Sequence, residues 1–249
     1  MKKITFTLLL TSILFISCSE KNSNPIESND IPIWSKVSSG LPAGGMDEVN
    51  SLMVSGTNLF AATDSGVFIS TNNGLSWKST FSPKIPFNTL VQSGSNIFAG
   101  TRINGIYISK NNGLDWEEVN NGLPKLVDYS NLYVEIKSLV TLDSNIFAGT
   151  IGNGIFMSTN NGKNWTEENT GLGCPVIYSL GSVGRTLVAG TLWGPYFTMN
   201  NGKSWSIDAT GFSSFNFVYS LLFLGNNLFA GTSSNIFLST NNGVNWNIK

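Results

Sequence analysis

Side chains that exchange protons, bind metals or attack bonds are scarce in this chain. Its 249 residues include no histidine, which removes the commonest general base, metal ligand and pH switch together. Three carboxylates fall in stretches that could share one face, Asp64, Asp128 and Glu135. Two carboxylates facing across a cleft can cleave a glycosidic bond, one as acid and the other as base or nucleophile. Arg102 could meet an anion, Asn104 two residues on could hydrogen-bond a ligand, and Tyr129, Tyr133 and Trp193 could stack on one. There is no Gly-rich phosphate loop, no nucleophile–base pair and no cluster with metal-ligand spacing, so neither a cofactor nor a metal is expected. The 14 basic residues are scattered without a basic patch, which argues against a nucleic-acid partner.

The elements that must position these residues recur five times. Ser70-Thr71-Asn72-Asn73-Gly74-Leu75-Ser76-Trp77 returns with Asn111, Gly113 and Trp116, then with Asn160, Gly162 and Trp165. It returns again with Asn200, Gly202 and Trp205, and finally with Asn241, Gly243 and Trp246. Asn-Gly between two apolar runs predicts a β-hairpin whose turn residues both take positive φ. The preceding Asn can fold its side chain onto nearby backbone N–H groups. Ahead of each hairpin lies an apolar strand ending in Ala-Ala-Thr or Ala-Gly-Thr, and ahead of that a shorter strand such as Val49-Asn50-Ser51-Leu52. Four short strands, a to d, in a period of about 40 residues predict the blade of a β-propeller. The b strands are apolar at consecutive positions, as expected where both sheet faces are covered. Their Ala-Gly pairs leave room for the neighbouring sheet.

The hairpins resemble the Asp-box, or bacterial neuraminidase repeat, family, whose pattern is Ser/Thr-x-Asp-x-Gly-x-x-Trp. Asn72, Asn111, Asn160, Asn200 and Asn241 stand where that family has Asp. Asn keeps the capping oxygen but cannot serve as a catalytic carboxylate. The resemblance implies an all-β fold, a single β-propeller of four-stranded antiparallel blades, here five in a closed monomeric ring over residues 33–249. It also implies that the hairpins are structural and that function sits on the opposite face. That face is built from b-to-c loops and d-to-a connections, which places Asp64, Arg102, Asn104, Asp128, Tyr129, Tyr133 and Trp193 together. Residues 117–135 lengthen one d-to-a connection, and long loops on a rigid scaffold are common binding elements. Trp34 begins what reads as an additional d strand, expected to reinforce the seam of the ring.

The resemblance raises three possibilities. Sialidases resemble one another in a three-arginine clamp with a Tyr nucleophile; this chain has only Arg102 and Arg185, the latter in an a-to-b turn on the wrong face. Xyloglucanases need two carboxylates but are built from two large propellers. The photosystem assembly factor family, similar in length and often lipid-anchored, binds a membrane-protein intermediate. The expectation is therefore a binding or scaffold module for an envelope protein or polysaccharide and not an enzyme, with an endoglucanase-type hydrolase as the alternative.

Residues 1–17 read as a secretory signal, with Lys2 and Lys3 ahead of an apolar run too short to span a bilayer. Phe15-Ile16-Ser17-Cys18 resembles the bacterial lipobox, which implies acylation of Cys18, a membrane anchor and an outer-membrane location. Residues 18–32 read as the lipidated Cys and a flexible tether. With Cys18 consumed, Cys174 has no disulfide partner and is expected to be a small core residue.

Overall fold

The computed structural model describes residues 35–42, 48–80, 85–207, 210–212, 217–225, 227–241, 243 and 245–248. Cys18, its signal and tether, and Trp34 lie outside them. The chain divides into two units, Met1–Lys36 and Val37–Lys249, and the described strands all belong to the second.

Every regular element described in that unit is a strand, and twenty of the strands form five four-stranded antiparallel sheets. The first holds β1 (Val49–Ser55), β2 (Asn58–Thr63), β3 (Gly66–Ser70) and β4 (Lys78–Ser79) in that order. The second holds β5 (Phe87–Ser93), β6 (Asn96–Thr101), β7 (Ile106–Ser109) and β8 (Glu117–Glu118). A small hairpin, β9 (Lys125–Leu126) and β10 (Tyr129–Tyr133), fills the long connection. The third sheet is β11 (Ile136–Leu142), β12 (Asn145–Thr150), β13 (Ile155–Ser158) and β14 (Thr166–Glu167). The fourth is β15 (Ile177–Val183), β16 (Thr186–Thr191), β17 (Gly194–Thr198) and β18 (Ser206–Ile207). The fifth is β19 (Val218–Leu224), β20 (Asn227–Thr232), β21 (Ile236–Ser239) and β22 (Asn247–Ile248). These are the a, b, c and d strands expected from the repeats.

The c-to-d hairpins take the expected form. Asn73, Asn112, Asn161 and Asn201 sit at φ between 57° and 61° beside Gly74, Gly113, Gly162 and Gly202, also at positive φ. In the third copy Asn160 Oδ1 accepts from the Asn164 N–H at 2.9 Å and the Ser158 hydroxyl at 3.1 Å, while Ser158 Oγ accepts from Gly162 N–H at 2.8 Å. The same three bonds recur around Asn72, Asn111, Asn200 and Asn241. Asn in place of Asp adds a donor: Nδ2 of Asn72, Asn111 and Asn200 reaches Ser76 Oγ, Asp115 Oδ2 and Ser204 Oγ at 2.8–2.9 Å. A carboxylate at position 111 would instead face Asp115.

The core lies between successive sheets. Strands β1, β5, β11, β15 and β19 pack consecutively. Each mixed apolar cluster joins one sheet to the next, as where Phe60, Ala62 and Val67 meet Phe87, Leu90, Ile97 and Tyr107. Two contacts repeat at these interfaces. Phe60, Phe98 and Phe147, all fully buried, reach the hairpin glycines Gly113, Gly162 and Gly202 of the following sheet. Glycines of the b strands, Gly100 and Gly149, lie under Ile136 and Ile177 of the following a strand, so close that a Cβ on Gly100 would stand 2.6 Å from Ile136 Cγ2. The spare room of the Ala-Gly pairs is thus filled by the next sheet, as the sequence implies.

At the two ends of the series the pattern stops. Among the described residues β19 and β1 do not pack as the other a strands do, so the expected closure of a ring is not seen there. The fourth position of the fifth sheet is taken by β22, paired to β21. Val37 and Ser39 lie against the first sheet instead, their carbonyls accepting from Trp77 Nε1 at 3.0 Å and Trp77 N–H at 2.8 Å. Val119 and Asn121 do the same for Trp165, as do Glu168 and Thr170 for Trp205. The segment after Trp34 therefore caps the first sheet in the way the exits of the second and third d strands cap the sheets that follow them. Cys174 is a buried core residue, as expected.

Candidate functional site

The b-to-c loops and the starts of the a strands share one end of the sheets, because Thr63, Thr101, Thr150, Thr191 and Thr232 each pair with the first residue of their a strand. Each of these threonine hydroxyls donates across its own loop, to the carbonyl of Gly66, Gly105, Gly154, Gly194 or Asn235 at 2.7–3.0 Å. The loops are held from beneath and need no ligand to order them.

All five a strands carry a β-bulge at their second residue. A bulge leaves its extra residue out of the ladder and re-aims it. The residues so placed are Asn50, Asn88, Lys137, Tyr178 and Tyr219. Asn50 Nδ2 donates to Asp64 Oδ1 at 2.9 Å and to the Phe87 carbonyl at 3.0 Å. Asn88 Nδ2 repeats this with Glu135 Oε1 at 3.0 Å and the Ile136 carbonyl at 3.1 Å. Arg102 lies 3.5 Å from Asp64, and Lys137 Nζ lies 3.7 Å from Glu135. Over the last two sheets the row turns aromatic. Tyr178 and Tyr219 meet edge to face at 5.2 Å, and Phe217 lies within 6.4 Å of both rings. Burial, with Tyr219 and Cys174 nearby, holds the Tyr178 phenol above its ordinary pKa. Tyr178 and Tyr219 thus present paired rings in a half-dry setting suited to stacking.

The residues singled out from the sequence divide into groups. Asp64 and Arg102 are joined. Asn104 is tied to the interior, its carbonyl accepting from Asn120 Nδ2 at 3.1 Å and its N–H donating to Thr101 Oγ1 at 2.8 Å. Tyr133 is brought to the same loop, its N–H donating to the Ile103 carbonyl at 2.8 Å with Lys125 Nζ over its ring. Asp128 and Tyr129 lie exposed at the turn of the β9–β10 hairpin. Trp193 is 48% exposed, with one ring edge against Gly173, so it both packs locally and presents a face. Sequence reading missed the bulge residues. Their signal was present: in the motif apolar-x-Ser/Thr-Leu the flanking positions repeat, while x is Asn, Asn, Lys, Tyr and Tyr. Among the described residues no group of three His, Cys, Asp or Glu could hold a metal.

The chain matches the DUF6242 beta propeller domain over residues 14–249. It belongs to that family, and its sheets are propeller blades. No curated protein matches it in sequence. Solved structures that resemble it include the extracellular domain of BT4673 from B. thetaiotaomicron, at 16% identity and TM-score 0.68, covering 84% of this chain and 28% of that one. The GH74 xyloglucanase from Xanthomonas campestris matches at 14% identity and TM-score 0.58, covering 80% and 38%. YCF48 from Cyanidioschyzon merolae matches at 15% identity and TM-score 0.57, covering 80% and 70%; YCF48 has also been solved bound to D1 peptide. The chain spans less than a third of BT4673's extracellular domain, and at these identities the likeness is one of fold.

Proposed function

We propose that this chain is a lipid-anchored propeller of the bacterial envelope that captures a protein or polysaccharide through its loop end. The observation that carries the reading is the row of bulge residues, which changes chemistry from amide to cation to aromatic while everything around it repeats. Recognition there costs little ordering, because the loops are already clamped by threonine hydroxyls. Tyr178, Tyr219 and Trp193 supply flat faces for sugar rings or apolar side chains, and the Asp64–Arg102 and Glu135–Lys137 pairs supply directed polar contacts. The lipobox at Cys18 and the Asp-box likeness of the hairpins support the envelope setting. The extracellular domain and the peptide-bound YCF48 among similar folds agree with a binding role, and GH74 enzymes keep polysaccharide among the ligand classes. Hydrolysis is the weaker reading, because Asp64 and Glu135 are each engaged by an amide and a cation of the chain itself.

The test is in-cell photo-crosslinking of the tagged full chain with a crosslinker at Trp193, followed by identification of what is attached. One dominant envelope protein or glycan, lost in the Tyr178→Ala/Tyr219→Ala variant, is expected. Crosslinking that is unaffected by that variant would remove the loop end as the binding surface.

A further inference from the structure

The blade-to-blade interface that recurs within the chain is left half-built at both ends, and the two halves match. On the last sheet, Gly231 occupies the b-strand position of Gly100, Gly149 and Gly190. The latter three lie under Ile136, Ile177 and Val218 of the next blade, whereas a Cβ on Gly231 would meet, among the described residues, only Ser220 of its own sheet. On the first sheet, Val49 occupies the position of Phe87, Ile136, Ile177 and Val218. Those four are fully buried; Val49 is 48% exposed. A glycine without its cover stands at one end, and a covering side chain without its glycine at the other.

The second recurring contact is split in the same way. Phe229 holds the place of Phe60, Phe98 and Phe147, which are fully buried on the next hairpin glycine, yet it is only half-buried. Gly74 is the hairpin glycine of the first sheet, and among the described residues the nearest neighbours of a Cβ there would be Leu59, Trp77 and Val37. It lines an apolar pocket of about 350 Å³ together with Leu52, Val54, Phe60 and Trp77. Around these features, Leu52 and Val54 are 69% and 64% exposed on β1, and Leu222 and Leu224 are 63% and 65% exposed on β19. The cluster of Ala61, Phe68 and Trp77 is the half-core beneath that face, joined among the described residues by Leu41 and Leu59.

We propose that the open face of the fifth blade receives the open face of the first blade of a second copy of this chain, continuing the internal interface across the junction. Phe229 of one copy enters the Gly74 pocket of the other, and Val49 of the other covers Gly231. The occupant is a second copy because the chain's own two faces are complementary to each other while β19 and β1 of one chain do not pack together among the described residues as successive a strands do. Such a contact is heterologous: it can repeat, and gives a ring or a chain of copies according to whether the rotation closes. It uses the ends of the blade series and leaves the loop end free, so it stands independently of the proposed ligand capture.

Cysteine pairing tests it in the full chain, solubilised in mild detergent. The internal counterparts place a Cβ on Gly100 3.0 Å from Ile136 Cβ, roughly half an ångström short of the range a disulfide spans, so a small outward shift at the junction brings the two sulfurs into bonding geometry. A chain carrying both Val49→Cys and Gly231→Cys, oxidised gently, is expected to give dimers and higher multimers. Two differently tagged copies with one substitution each are expected to give a heterodimer bonded between positions 49 and 231. The unsubstituted chain controls for Cys18 and Cys174. Adding Phe229→Asp should reduce the cross-chain bond by at least about tenfold, the value of one apolar ring kept from its pocket. A bond formed within one chain, running as a compact monomer, would mean that the ring closes on itself and would overturn the proposal. Thiols that stay free would also overturn it. Sedimentation of the unsubstituted chain gives an independent reading: association that rises with concentration and is lost with Phe229→Asp supports the proposal, and a monomer at every concentration contradicts it.

Discussion

The two ends of each blade follow opposite rules. At the hairpin end, five copies of one turn repeat down to individual hydrogen bonds, and the exposed positions between them differ little in role. At the loop end the scaffold repeats equally well, through bulges and threonine clamps, but the residue delivered by the bulge changes from blade to blade. Uniformity at one end is what packing demands, since Gly113, Gly162 and Gly202 each accept the ring of the blade before it. Variation at the other end is tolerated because a bulge residue has left the ladder and touches its neighbours only through its side chain.

This contrast can be broken at several points. The largest effect should come from the packing that the hairpin end serves: Phe98→Ala empties a fully buried site against Gly162 and should cost about 3–5 kcal/mol, read by denaturant unfolding. Gly113→Ala drives a methyl into the Phe60 ring at a φ of 85° and should cost about 1–3 kcal/mol from overpacking. Asn160→Ala removes the acceptor of two hydrogen bonds and should cost about 1–2 kcal/mol. Asn160→Asp keeps that oxygen and should stay within about 0.5 kcal/mol of the original; equal losses in the two variants would show that the turn does not depend on the cap.

Alkaline pH sharpens the comparison further. Burial raises the pKa of Tyr107, with Glu118 adding to it, and burial likewise raises those of Tyr178 and Tyr196. The folded chain then holds phenol protons that the unfolded chain releases above about pH 10. This contribution is fully present below that pH and is lost as pH rises through the folded-state values. Phenolate absorbance during an alkaline titration should therefore lag behind that of the urea-unfolded chain, and coincident curves would refute the assignment.

Much of the fold was legible because period and turn chemistry are local. Asn73-Gly74 and its copies fix a hairpin without reference to distant residues, and the Trp repeats mark the blades. The partners of Asp64, Arg102 and Tyr133 were not legible, because they are set by which loops the blades bring side by side. The bulges at Asn50, Asn88, Lys137, Tyr178 and Tyr219 escaped for a different reason. A bulge costs one residue of register, and in a strand of seven residues apolar and polar positions still alternate plausibly without it. The open faces at Val49 and Phe229 were invisible as well, since their residue types are those of a buried interface.

The most direct measurement exchanges residues between blades. Tyr178 and Tyr219 are both replaced by Asn, which the first two blades already carry at the same bulge, and thermal stability and envelope crosslinking are measured on the same preparation. The expected result is a melting temperature close to that of the unsubstituted chain and loss of the crosslinked partner. A stable variant that still captures its partner would contradict the claim that the bulge row is the binding surface.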